Sequence, residues 1–183
     1  DTGSSYSDFA ILYRVNAQSR VLEDTLANKG IPYKIYGGTK FYDRKEIKDL
    51  MAYLRLLINV NDDVSFRRVV NEPKRGIGQA TVDKLESFAQ ENQMSLFIAA
   101  SNATSLPGLE RAAVKLESFT KLISLLTSLK ETMDLSELVE TVIEQTGMEE
   151  SYRSENTVES QARIENLREF ITGVMEYESE MAR

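Results

Sequence analysis

The sequence predicts a mainly α protein preceded by a short, incomplete α/β piece. Three observations carry this. Apolar residues recur at helical spacing from about residue 45 to the end. Two short runs rich in strand formers, 8–14 and 31–36, flank one helix-like segment near the N-terminus. Between those regions the pattern changes at Gly37-Gly38, and the boundary between the two parts is expected there, with residues 1–42 as one unit and 43–183 as the other.

The elements follow in order. "DFAILYR" (8–14) reads as a buried strand. "NAQSRVLEDTLANKG" reads as a helix, with Asn16 able to cap it, Leu22 and Leu26 sharing a face, and Gly30 suited to its C-terminal end. "IPYKIYGG" alternates and reads as a second strand, which completes a β-α-β unit of crossover size. A lone β-α-β unit cannot cover both faces of a parallel sheet, so this chain is expected to be a piece of a larger protein that supplies the remaining strands. "DRKEIKDLMAYLRLLINV" opens with Asp43 and Glu46 in capping-box spacing. Asp62-Asp63 start a further helix, which Pro73 stops. Helices are then expected at about 79–92, 95–101, 109–131, 135–146 and 157–181, punctuated by Pro107-Gly108 and Gly147.

Composition narrows the chemistry. The 183 residues contain no Cys and no His, which removes thiol metal sites, disulfides and every Ser/His or Cys/His catalytic pair. A reducing, cytoplasmic setting fits, and no apolar run is long enough to span a membrane. The net charge is −7, but it is unevenly spread: residues 1–90 hold 14 Lys+Arg against 12 Asp+Glu, and residues 91–183 hold 8 against 17. An anionic ligand is steered to the first half.

The strongest local motif is "NEPKRGIGQATVDKL" (71–85). Gly76 and Gly78 let the backbone turn tightly and approach a partner closely. The helix after them presents free N–H groups and its positive dipole end, Lys74 and Arg75 add charge, and Thr81 sits in its first turn. With the helix before it, this reads as a helix–hairpin–helix clamp on a nucleic-acid backbone, or equally as an ordinary interhelical turn with solvated cations. It is not a dinucleotide fingerprint, because Thr81 stands where a third glycine is needed. A second candidate lies at the strand ends, where Arg14, Asn16 and Lys40 could meet phosphates or base edges, with Tyr13, Tyr36, Phe41 and Tyr42 nearby. The carboxylates at 149, 150, 176, 178 and 180 match no metal-loop spacing and read as a solvated acidic face. No G-x-x-x-x-G-K-[ST] occurs, so the chain has no phosphate loop of its own and should not hydrolyse ATP.

The runs "FAILYRVNAQSRVLEDTLANKGIPYKIYGGTKFYDRKEIKDLMAYLRLL" and "RVVNEPKRGIG", and more loosely "QARIENLREF", resemble bacterial superfamily 1 DNA helicases of the UvrD/Rep/PcrA family, closest to its Gram-positive members. The resemblance implies that residues 1–42 begin the second RecA-like motor domain (2A) and that 43–183 form most of its helical insertion (2B). It implies that Arg14, Asn16 and Lys40 contact single-stranded DNA, and that Arg75, Gly76, Ile77, Gly78 and Thr81, beside Lys74, touch the duplex ahead of the fork. It further implies an ATP-dependent 3′–5′ helicase acting in repair and replication, with ATP and Mg2+ as cofactors of the parent and none in this piece. The DNA bound would be read without sequence preference. A swivel of 2B about Gly37-Gly38 is expected to switch the parent between active and restrained forms. The alternatives are a protein-docking module with acidic helices, or part of a helicase–nuclease relative.

Overall fold

Nine α-helices make the body of the protein in a computed structural model that describes residues 5–182. They are α1 (Ser19–Asn28), α2 (Lys45–Ile58), α3 (Asp63–Val69), α4 (Gln79–Glu91), α5 (Leu96–Ser101), α6 (Ala113–Leu129), α7 (Leu135–Thr146), α8 (Met148–Glu155) and α9 (Val158–Met181). Residues 1–4 of the expected N-terminal unit, and residue 183, lie outside the described residues.

One core runs through the helices from α2 onward. Tyr53 and Leu50 of α2, Phe66 of α3, Leu85 of α4, Leu96 of α5 and Phe119 and Ile123 of α6 are all essentially inaccessible to solvent. Phe66 meets Phe119 edge-on at 5.4 Å between ring centroids, an arrangement that aligns positive ring edges with negative faces. These burials follow the apolar spacing read from the sequence. The α2–α3 pair is also tied by charge: Asp49, almost fully buried, receives Lys45 Nζ and Arg68 Nε at 2.8 Å each.

Helix ends follow local chemistry. Asp62 accepts the Ser65 N–H at 3.1 Å and so caps α3, as its position suggested. Ser95 caps α5 through the Ile98 N–H, and Thr157 caps α9 through the Ser160 N–H. Gly147 closes α7 with φ 78°, a left-handed turn that any Cβ would strain.

Three expectations are corrected. The segments 8–14 and 31–36 form no strand, and no strand exists among the described residues. A parallel strand is held only by its neighbours' ladders, and here none is offered. Phe9, Ile11 and Leu12 accordingly stand exposed. Asp43 does not cap α2. It lies in a 3-10 turn at 41–43 and pairs with Lys48 at 2.9 Å, while Arg44 takes the cap position without a side-chain bond. Asn16 likewise does not cap α1: residues 16–18 form a 3-10 turn, and Gln18 Oε1 accepts the N–H groups of Arg14 and Val15. Helix α8 went unread because its eight residues, "MEESYRSE", hold only two apolar side chains, Met148 and Tyr152, although both are buried.

α1 is the most unusual element. Its buried residues are Ser19, Arg20 and Glu23 rather than Leu22 and Leu26. Arg20 reaches α9, with Nε 2.8 Å from Glu169 and Nη2 2.8 Å from Glu176. Ser19 Oγ donates to Glu23 and accepts from Arg44 Nη2, whose Nη1 donates to Asn166 Oδ1, whose Nδ2 donates to Glu46. No buried side-chain nitrogen or oxygen lacks a partner among the described residues, so α1 docks by a complete polar network rather than by apolar burial.

Candidate nucleic-acid interface

The connection from α3 to α4 is built around Asn71. Its Oδ1 accepts both the Arg75 N–H at 2.8 Å and the Ile77 N–H at 3.0 Å, which folds residues 71–77 into a tight loop. Ile77 is buried and pins the loop tip to the core. Gly76 has φ 70°, a conformation that favours glycine. Gly78 precedes α4 with extended backbone and no side chain caps the helix, so its first N–H groups and dipole end face solvent. Thr81 is half-buried in the first turn, its N–H spent on Gly78 O. Lys74 is exposed beside these groups. The residues that the sequence reading grouped here, 74–78 and Thr81, do lie together on this loop and the first turn of α4, but Asn71, which shapes the loop, was missed. An Asn six residues before a buried apolar residue in a Gly-rich loop is the signal that could have found it.

Arg75 is placed differently from Lys74. Its guanidinium turns inward: Nη1 donates to Val69 O at 3.2 Å and Pro73 O at 3.0 Å, and Nη2 donates to Tyr53 Oη at 2.8 Å and Thr146 O at 3.1 Å. It also lies over the Phe119 ring at 5.3 Å. The Tyr53 hydroxyl, pushed far above the ordinary tyrosine range by burial despite the opposing Arg75 charge, stays neutral and donates a hydrogen bond to Glu72 O at 2.5 Å. Arg75 therefore ties the loop to α2 and to the C-terminal end of α7.

Arg14 and Asn16 do come together. With Val15 they form one wall of an open groove of about 620 Å³, and Tyr152, Arg153, Asn156, Thr157 and Gln161 from the α8–α9 junction form part of the other. None of the α3–α4 loop residues lines it. Lys40 does not line it either; it lies on the loop before residue 41, with Nζ 5.1 Å from the Tyr33 ring centre. The same loop carries Gly37, with φ 77°, and Gly38, and it is closed at its base by Glu23, whose two carboxylate oxygens accept the Phe41 N–H at 3.0 and 3.1 Å. Phe41 is fully buried, whereas Tyr36 and Tyr42 are exposed.

Some of the acidic residues of the second half are engaged in structure. Glu149 accepts from Arg153 and from Arg168, and although burial pushes its carboxyl up, those two hydrogen-bonded guanidinium groups hold it below the usual range. Glu178 accepts the Ser136 N–H at 3.1 Å. Among the described residues no three His, Cys, Asp or Glu side chains are grouped to hold a metal, and no helix is long and apolar enough to cross a membrane.

The family model described as the UvrD-like helicase C-terminal domain matches residues 1–183. The chain is 46% identical over 172 residues to the ATP-dependent DNA helicase PcrA of Bacillus subtilis, covering 94% of this chain and 23% of that protein. It is 44% identical over 176 residues to PcrA of Staphylococcus aureus, covering 96% of this chain and 24% of that protein. PcrA of Staphylococcus epidermidis is 44% identical over 177 residues, with 97% and 24% covered. The chain thus spans about a quarter of the length of the curated relatives it matches.

Proposed function

This chain belongs to the UvrD-like helicase C-terminal domain family, and from that premise we propose that it is the DNA-engaging part of an ATP-dependent 3′–5′ DNA helicase of repair and replication. Its α3–α4 loop grips the backbone of the duplex. The observation that carries this reading is the uncapped start of α4 behind Gly76 and Gly78, with the exposed Lys74 beside it. Such a site favours phosphate of any sequence, because free backbone N–H groups and a helix dipole recognise charge rather than base edges. Lys74, Gly76, Gly78 and Thr81 face the phosphate, and Ile77 and Arg75 hold the loop in shape from within.

Arg14 and Asn16 supply a second, separate contact for single-stranded DNA along their groove, with Lys40 on the adjoining loop. Neither a phosphate loop in the sequence nor a magnesium-type carboxylate cluster among the described residues offers a fit for ATP and Mg2+. The parent's ATP chemistry is therefore assigned elsewhere, and the role given to this chain is to hold DNA against the motor. Gly37-Gly38 is the swivel of the helical insertion, with residues 1–42 belonging to the motor domain and 43–183 to the insertion. A swivel of the whole insertion also requires release of the Glu23–Phe41 clasp and of the Arg20 bonds to α9.

A salt titration of the 183-residue chain on a short duplex tests the grip. Each phosphate contact contributes about −0.9 to the slope of log affinity against log salt. Lys74→Glu should lower the magnitude of that slope by about 0.9. A slope identical to wild type would remove the loop from the interface.

One observation favours a second role beside the first. Glu140, Glu144 and Glu150 line an open groove of about 520 Å³ between α7, α8 and α9, where Arg153 and Arg168 already occupy Glu149, and the three remaining carboxylates suit a basic segment of a protein partner. A pull-down that loses all protein after nuclease treatment would refute it.

A further inference from the structure

The phosphate grip proposed above has a neighbour that the sequence separates from it by 39 positions. Lys115 is exposed near the start of α6, and its Nζ lies 3.2 Å from Gly76 O. It crosses directly over the glycine: a Cβ built on Gly76 would stand 2.5 Å from that ammonium. A second lysine behaves alike. Lys84, exposed on α4, reaches across to the turn before α6 and donates to Gly108 O at 3.3 Å. Among the described residues the lysines that form ion pairs are Lys45, Lys48 and Lys130; Lys74, Lys84 and Lys115 are not among them. Each is satisfied by at most one backbone carbonyl, and an ammonium has three protons to donate.

The acidic groups nearby are largely engaged. Asp83 accepts from the Gln79 side chain at 2.8 Å, Glu86 is paired with Arg67, and Glu110 accepts the Gly108 N–H at 2.9 Å. Among the described residues Lys74, Lys84 and Lys115, from the α3–α4 loop, α4 and α6, thus form no ion pair; Lys74 and Lys115 stand beside the loop that leads into α4, and Lys84 reaches from α4 to the turn before α6.

We infer that Lys115 and Lys84 form a second prong of the duplex grip, each taking a backbone phosphate beyond the one cradled by the α3–α4 loop. This rests on the duplex-binding reading of that loop. The φ of 70° is what favours glycine at residue 76, and the Lys115 ammonium occupies the space its missing side chain leaves. Its bond to Gly76 O keeps the ammonium beside the loop before DNA arrives, so little side-chain freedom is lost on binding.

The test uses the 183-residue chain and a fluorescent random-sequence duplex titrated with salt. Lys84→Gln combined with Lys115→Gln should lower the magnitude of the salt slope by about 1.8, two contacts at 0.9 each. Between 50 and 200 mM salt the double variant should therefore lose about twelve-fold less affinity than wild type does. Lys115→Arg should restore its share of the slope, and the melting temperature should stay at the wild-type value in all variants. If Lys74→Glu changes the slope but the double variant does not, the second prong is refuted while the loop grip stands. If the wild-type chain shows no salt-dependent duplex binding at all, the duplex reading fails and takes the prong with it.

Discussion

Replacing Arg75 separates two roles that a basic residue in this loop could play. In the structure its guanidinium satisfies the carbonyls of Val69, Pro73 and Thr146 and the Tyr53 hydroxyl. A hydrogen bond from a charged donor contributes about 1.5–3 kcal/mol, and such bonds on one group are not additive. Some of these acceptors gain water when the side chain is cut back, since Arg75 is only half-buried. Arg75→Ala should therefore cost about 3 kcal/mol. A chain of this size loses about 2–4 °C of melting temperature per kcal/mol, so the midpoint should fall by about 6–12 °C. Arg75→Lys keeps the charge but cannot span four acceptors with one ammonium, and should recover little of that loss. The assay is a thermal melt followed by circular dichroism, paired with the duplex salt titration at low temperature. The strut reading expects a large shift in melting and a nearly unchanged salt slope for Arg75→Lys. An Arg75→Ala midpoint within about 2 °C of wild type, with the slope reduced by about 0.9, would show that Arg75 is a phosphate contact and that this reasoning is wrong.

Other predictions concern the frame around the site. Asp62→Ala should destabilise the chain by about 1 kcal/mol in urea melts, the usual worth of a helix N-cap. Because hydrogen bonds from the Ser65 hydroxyl and N–H hold the Asp62 carboxyl below the ordinary aspartate value of about 3.9, its contribution is complete above that pH and is lost as pH falls through the lowered value. Asp62→Asn should accordingly flatten the stability profile below about pH 4, and a profile parallel to wild type would exclude Asp62 as its source. Gly37→Ala should cost about 1 kcal/mol because φ is 77°, whereas Gly38→Ala should be neutral by the same melts. Arg20→Met should loosen α1 from α9 and raise amide exchange in residues 19–28; unchanged protection there would mean that the three acidic partners of Arg20 do not hold the helix.

The helical body could be read from the sequence because its apolar residues repeat at 3.6-residue spacing and its breaks carry Pro or Gly. Leu50, Leu57 and Phe66 are buried as that spacing requires. The N-terminal piece was misread for a physical reason. "DFAILYR" has strand composition, but a strand is a relation between segments, and composition cannot supply the second segment. α1 failed in a related way: its buried side is Ser19, Arg20 and Glu23, and polar burial leaves no hydrophobic signature. The same limit applies at the candidate site. Adjacent cations Lys74 and Arg75 look equivalent in the sequence, yet one faces solvent and the other crosses to Thr146, 71 residues away. Lys115 reaches the loop from a helix that no local pattern connects to it.

The Glu23–Phe41 contact has a mechanical side. Residues 24–40 form a slack bight whose two ends are fastened together, and Arg20 fastens the same point to α9. Tension entering through the N-terminal segment passes from α1 directly into Phe41 and α9 and never loads Gly37-Gly38. The bight works as a fuse: the glycines begin to carry force only after the clasp yields, and about seventeen residues of chain then pay out at once. Release of this part of the chain is thus resisted by Glu23 together with the Arg20 and Arg44 bonds, and Glu23→Gln should lower the first unfolding force in a single-molecule pulling experiment without altering the glycines at all.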